Sequence, residues 1–142
     1  MIHFYHWPDW VSLDKKSLRL WLVECCRLYD VALEDVSYTF LENSAMEKLN
    51  WEFLKHAYPT DIITFDYSSD GRIRADIYIG HEVVQENADE LGIGREDELC
   101  RVLMHGLLHT IGFDDHDKEA LAVMRQNEDN CLLLRPKKLK NK

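Results

Sequence analysis

The side chains best suited to chemistry are concentrated in one stretch, His105-Gly-Leu-Leu-His109-Thr-Ile-Gly112-Phe-Asp-Asp115-His116. Two histidines four residues apart share one face of an α-helix, because about 3.6 residues make a turn. Each ring carries a donor and an acceptor that must be satisfied if buried, and a shared metal ion would satisfy both. Gly112 can end the helix and turn the chain back. Asp115 and His116 follow, and each could donate to a metal. Neighbours in an extended segment point to opposite sides, so one of the two is expected to face the ion. Two imidazoles, a third nitrogen or oxygen donor and a position left for water form the pattern of catalytic zinc. Nickel, cobalt or iron would suit the same donors.

Gly106 narrows the chemistry. Metallopeptidases with H-E-x-x-H carry a glutamate there as general base. A mid-helix glycine costs about 1 kcal/mol relative to alanine, which points to close packing or substrate approach instead. A peptidase built on this stretch would lack its usual base.

The elements that must hold these residues are legible from periodicity. Leu99, Cys100, Val102, Leu103, Met104, Leu107, Leu108 and Ile111 leave the helix from about Arg95 to Ile111 apolar almost all round, so it is expected in the core. Asp117 is an expected N-cap for a last helix from about Lys118 to Leu133. Upstream, Ile2 to Trp7 reads as a strand ending at Pro8, and Leu18, Trp21, Leu22, Cys25, Leu28 and Tyr29 mark an amphipathic helix. Val36 to Leu41 reads as a strand. Ser44-Ala-Met-Glu47 has the form of a capping box opening a helix through Met46, Leu49, Asn50 and Phe53. Ile62 to Phe65 and Ala75 to Ile79 read as strands joined through the Asp70-Gly71 turn, and a helix follows Gly80 up to Gly92. The order β-α-β-α-β-β-α-α-α favours one α+β domain, a mixed four-stranded sheet packed with about five helices.

Composition sets the outer bounds. A chain of 142 residues suits one domain. No apolar run approaches the ~20 residues of a membrane span, and the start lacks the form of a signal peptide, so a cytoplasmic protein with no membrane association is expected. Cys25, Cys26, Cys100 and Cys131 make neither a disulfide framework nor a C-x-x-C zinc site and are expected as reduced, buried thiols. A net charge of −9 opposes general affinity for nucleic acid. The segment Arg135 to Lys142 departs from this, holding five of the 17 basic residues and no acid. The expected division is therefore a domain over 1–134 and a basic tail over 135–142.

His105, Gly106, Leu108, His109, Gly112, Phe113 and Asp114 match the signature H-G-x-L-H-x-x-G-[YF]-D-H in register. Pro59-Thr-Asp-Ile-Ile-Thr-Phe65 is similar to P-T-[ND]-V-L-S-F, and Ala75-Asp76-Ile-Tyr-Ile79 to G-D-I-x-I, with Glu82-Val-Val opening the next helix. From about Leu49 to Glu128 the sequence thus resembles the YbeY family of bacterial endoribonucleases. The resemblance implies a single-strand-specific, metal-dependent endoribonuclease in maturation of the 3′ end of 16S rRNA and in ribosome quality control. It implies one Zn2+ per chain and, as partners, rRNA and the small ribosomal subunit, with ribosomal proteins or assembly GTPases as further candidates.

Two departures matter. The family's third histidine lies ten residues after the first, where this chain has Asp115, so His105, His109 and Asp115 are the preferred ligands. A one-residue bulge would bring in His116 instead. If free of the metal, His116 could shuttle protons near neutral pH. The family also carries a basic residue, usually arginine after an aromatic, shortly before P-T; here Phe53 is followed by Leu54. Lys55 and His56 are the nearest bases, and Lys55, Arg72, Arg74 and the tail are the candidates for phosphate contact. A zinc metallopeptidase-like hydrolase and a non-catalytic, metal-stabilised ribosome-assembly factor are the alternative readings.

Overall fold

The computed structural model describes residues 1–56 and 58–136, so the expected tail lies from 137 onward outside the described residues. The sheet contains β1 (Ile2–Tyr5), β2 (Ala32–Leu41), β3 (Ile62–Asp66) and β4 (Arg72–Gly80) in the order β1-β2-β4-β3. The β1, β2 and β4 strands run parallel and β3 pairs antiparallel with β4, giving the expected mixed sheet. Five helices accompany it: α1 (Lys15–Arg27), α2 (Asn43–Leu54), α3 (His81–Leu91), α4 (Arg95–Ile111) and α5 (Lys118–Leu133). The β3–β4 turn is tight because Asp70 and Gly71 both adopt positive φ, at 52° and 72°, which matches the twist of a two-residue hairpin.

One face of the sheet is apolar at every second residue: Val36, Tyr38 and Phe40 on β2, and Ile73, Ala75, Ile77 and Ile79 on β4, all buried. Helix α4 lies against β4 and β3 and buries Leu99, Cys100, Leu103, Met104, Leu107 and Leu108 in the same core. The Tyr38 hydroxyl donates to the Leu103 carbonyl at 2.9 Å, which satisfies a phenol that burial would otherwise leave stranded. Trp21 of α1 donates to the Cys131 carbonyl of α5 at 2.9 Å. All four cysteines are free, buried thiols.

Some boundaries differ from the periodicity reading. The first strand stops at Tyr5 because His6 turns to φ 58°, and Trp7 leaves the sheet to pack on Phe4 and Phe40. Strands β2 and β4 begin earlier, at Ala32 and Arg72, where pairing with each other carries the polar residues that hid their ends. Ser44 and Glu47 form no capping box. The N-cap of α2 is Glu42, with no side-chain bond of its own, and the Asn43 N–H donates instead to Glu82 of α3 at 2.6 Å. A partner 39 residues away replaces the local cap.

Gly80 sets the approach of β3 to this core. A Cβ there would run into the Thr60 carbonyl oxygen and crowd Met46, while the Gly80 N–H donates to the Asp61 carbonyl at 2.8 Å. Gly80→Ala is expected to cost about 3 kcal/mol, the upper end for overpacking against backbone. Thermal denaturation would register this as a midpoint lower by roughly 10 °C.

Candidate metal centre

Helix α4 places the two histidines and its C-terminus places the third group. Gly106, between them, is buried, and a Cβ would meet Ile62 Cδ1 at 2.9 Å and Ile77 Cδ1 at 3.1 Å. The glycine therefore lets α4 press onto β3 and β4 and set His105 beside the sheet edge. Gly112 ends α4 at φ 123°, and the Phe113 N–H returns to the Leu108 carbonyl at 3.0 Å. That reversal carries Asp115 back over the histidines.

The His105 and His109 Nε2 atoms are 3.1 Å apart. Asp115 Oδ2 lies 3.3 Å from His105 Nε2, and Oδ1 lies 3.7 Å from His109 Nε2. The three side chains form a group able to hold a metal ion, with donor atoms all within 4.8 Å of one another. His116, the other expected candidate, points away: its nitrogens reach Asp114 at 2.9 Å and Asp117 at 3.1 Å, and 67 % of its side chain is exposed. The two neighbours thus face different ways, Asp115 toward the histidines and His116 toward Asp114 and Asp117. Asp117 is also the N-cap of α5, accepting from the Ala120 N–H at 2.7 Å.

Helix α5 runs back along α4 and adds a residue that the motif does not contain. Glu128 is buried, its side chain 1 % exposed, and its Oε2 lies 2.7 Å from His105 Nδ1. Its Oε1 accepts from Arg101 at 2.8 Å, and the other arm of Arg101 binds Asp129 at 2.7 Å. Burial alone would raise the Glu128 carboxyl, but the bonds from His105 and Arg101 outweigh it and hold it below 4.5. Burial also opposes the His105 imidazolium, yet the Glu128 bond and charge outweigh it and raise the imidazole above 6.5. In the neutral ring, a proton held at Nδ1 by Glu128 leaves the Nε2 lone pair for a cation.

The donor set passes a geometric test for zinc. Ligand bonds of about 2.0–2.1 Å in a tetrahedron put donors about 3.3 Å apart, close to the 3.1 Å between the two Nε2 atoms and the 3.3 Å from His105 Nε2 to Asp115 Oδ2, while His109 is approached at 3.7 Å by the other carboxylate oxygen. One side of the group stays open to a cleft of about 780 Å³. Its walls are β3, one face of α4, α5 from Leu121 to Glu128, and part of α3 with Leu54. Asp61, Asp66, Glu90, Glu98, Asp115 and Glu128 line it, against two arginines, Arg101 and Arg125. Burial raises the carboxyls of Asp61 and Glu98, and Glu98 Oε1 is buried with no hydrogen-bond partner among the described residues.

The endoribonuclease YbeY family profile matches residues 9–134. The chain belongs to that family. A Porphyromonas gingivalis relative named endoribonuclease YbeY is 39 % identical over 136 residues, covering 94 % of this chain and 89 % of the relative. A Christiangramia forsetii relative of the same name is 35 % identical, with 94 % and 93 % covered. The solution structure of TM1509 from Thermotoga maritima shares the fold, with a TM-score of 0.66 at 24 % identity over 94 % of this chain and 88 % of that one. The match to the family profile reaches well beyond the stretch from Leu49 to Glu128 in which the motifs lie.

The described bases expected to contact phosphate lie outside the cleft lining. Lys55 takes the left-handed backbone at the end of α2, φ 58°, with its ammonium over the Trp51 ring, and does not line the cleft; Leu54 does. Arg72 and Arg74 pair with Glu34 at 3.6 and 3.4 Å, outside the cleft. Arg135, the first residue of the expected tail, pairs with Asp97. Sequence reading missed Glu128, Glu98, Arg101 and Arg125. A signal existed for Glu128: Met124, Glu128 and Cys131 occupy one buried stripe at helical spacing, and a glutamate in such a stripe needs a partner.

Among the described residues, no helix is long and apolar enough to cross a membrane.

Proposed function

We propose that this chain is a single-strand-specific, metal-dependent endoribonuclease acting in maturation of the 3′ end of 16S rRNA and in ribosome quality control, in the cytoplasm. Family membership supports the reaction class. The observation that carries the chemistry is the His105, His109 and Asp115 group opening on a cleft. These three residues would hold one Zn2+ per chain, nickel being chemically compatible. A bound divalent ion supplies Lewis-acid polarisation of a phosphate oxygen or activates a water.

The chain's own residues prepare that site. Glu128 fixes the orientation of His105, Gly106 lets α4 seat against β3, and Gly112 returns Asp115 to the histidines. His116, exposed between Asp114 and Asp117, is the proposed proton shuttle, and Lys55 a contact to the RNA backbone outside the cleft. The nucleophile is a water or the RNA 2′-hydroxyl. Gly106 opposes a peptidase reading because the position of the general base has no carboxylate. The small ribosomal subunit, ribosomal proteins and assembly GTPases are the proposed partners.

The test uses purified full-length protein with one RNA sequence in single-stranded and duplex form. The expected result is cleavage of the single strand, loss of cleavage with a chelator, and recovery on adding zinc. A steep fall of cleavage with salt would accompany it, reflecting phosphate contacts. A zinc-loaded preparation that leaves single-stranded RNA intact while hydrolysing peptides would overturn the proposal.

A further inference from the structure

The cleft presents an electrostatic problem for the proposed substrate. Its wall carries six carboxyl groups, the chain has a net charge of −9, and RNA brings one negative charge per nucleotide. A cation inside the cleft with donors to spare would answer it. Arg101 is committed, its terminal nitrogens bound to Glu128 and Asp129 and its side chain only 22 % exposed. Arg125 differs. One terminal nitrogen reaches Glu128 Oε1 at a long 3.4 Å, the side chain is 55 % exposed, and its other guanidinium donors have no partner among the described residues.

We propose that Arg125 is the phosphate seat of the cleft, receiving the non-bridging oxygens of a phosphodiester in single-stranded RNA. The proposal rests on the endoribonuclease reading for its substrate. Its geometry rests on Glu128, one carboxylate that touches His105 through Oε2 and Arg125 through Oε1. The guanidinium is thereby held one carboxylate away from the metal centre, with its free edge in the same cleft as His109 and Asp115. A planar fork of donors suits two phosphate oxygens at once, which an ammonium does not. Arg125 also lines the cleft, where Lys55, Arg72 and Arg74 do not, and Leu54 in that lining contributes no charge.

Arg125→Ala and Arg125→Lys would be compared with wild type by two measurements. One is affinity for a fluorescent, single-stranded 2′-O-methyl phosphodiester 12-mer across a salt series; the other is cleavage of unmodified RNA. Melting temperature and bound zinc serve as controls and are expected to be unchanged, because the side chain is exposed and touches neither histidine. Arg125→Ala is expected to bind about tenfold or more weakly, since a charge-assisted hydrogen bond to phosphate is removed. Its salt slope should be shallower by about 0.7 for each phosphate no longer neutralised. Arg125→Lys should recover the slope but only part of the affinity. Affinity and slope equal to wild type in Arg125→Ala would overturn the seat while leaving RNA cleavage standing. Arg125-dependent binding by a wild type that cuts no RNA would overturn the endoribonuclease reading and leave the seat. A wild type that neither binds nor cuts would overturn both.

Discussion

His109→Ala is expected to release the metal and abolish cleavage while the domain stays folded. The polar contacts of His109 are to His105 and Asp115, and its side chain is 30 % exposed. The helix tolerates alanine there, so the metal-free fold should lose no more than about 1 kcal/mol. Metal affinity should fall much further. Loss of a partner that merely orients a ligand costs about 10–100-fold, and loss of a direct donor costs more than that. The rate of RNA cleavage should drop by about 10³-fold or more, the factor that corresponds to several kcal/mol of charge stabilisation. Zinc content after dialysis, measured by elemental analysis beside the cleavage assay, checks both. Asp115→Ala should behave likewise and His116→Ala should keep its zinc. Full zinc occupancy in His109→Ala with normal cleavage would remove the assignment.

Glu128→Ala is the second large effect, and it acts on stability and metal together. Removing the carboxylate strands Arg101, which still has Asp129 and partial exposure, so the expected loss is roughly 2–3 kcal/mol, somewhat below that for a fully buried pair. Melting of the metal-free protein should show it as a fall of roughly 5–10 °C. The freed His105 ring should lower zinc affinity by about 10–100-fold. Glu128→Gln separates the two roles. It keeps an acceptor for the His105 N–H but loses the charge that Arg101 needs, so zinc should suffer less than stability. The pH dependence has a definite sign. A carboxyl held below 4.5 in the folded protein contributes its full stability above 4.5 and loses it as pH falls through the lower folded value. The gap in melting temperature between wild type and Glu128→Ala should therefore narrow in acid. A gap that widened instead would contradict the ion-pair assignment.

The metal stretch was largely legible because its geometry is local. Helical periodicity puts His105 and His109 on one face and Gly112 ends the helix, after which Asp115 comes within 4 Å of both histidines and His116 does not join them. The apolar run from Leu99 to Ile111 announced a core helix, and Asp70-Gly71 announced the hairpin, for the same reason. Each is a relation among residues a few positions apart, where backbone geometry leaves little choice.

What escaped the sequence depended on how distant elements meet. Glu119, Glu128 and Asp129 are all acids on α5, and only the antiparallel return of α5 along α4 puts Glu128 against His105 and Arg101. The cap of α2 comes from Glu82 of α3, so the local Ser44-Glu47 pattern had no power over it. Lys55, the nearest base in sequence, lies over Trp51 at the left-handed end of α2, and the two arginines that line the cleft, Arg101 and Arg125, come from α4 and α5. The sequence by itself determined the donor types, their helical spacing and the turn that follows them. The tertiary structure alone decided which carboxylate orients the histidine and which cation faces the cleft. Those choices are made by packing between helices, and spacing along the chain carries no information about which faces will meet.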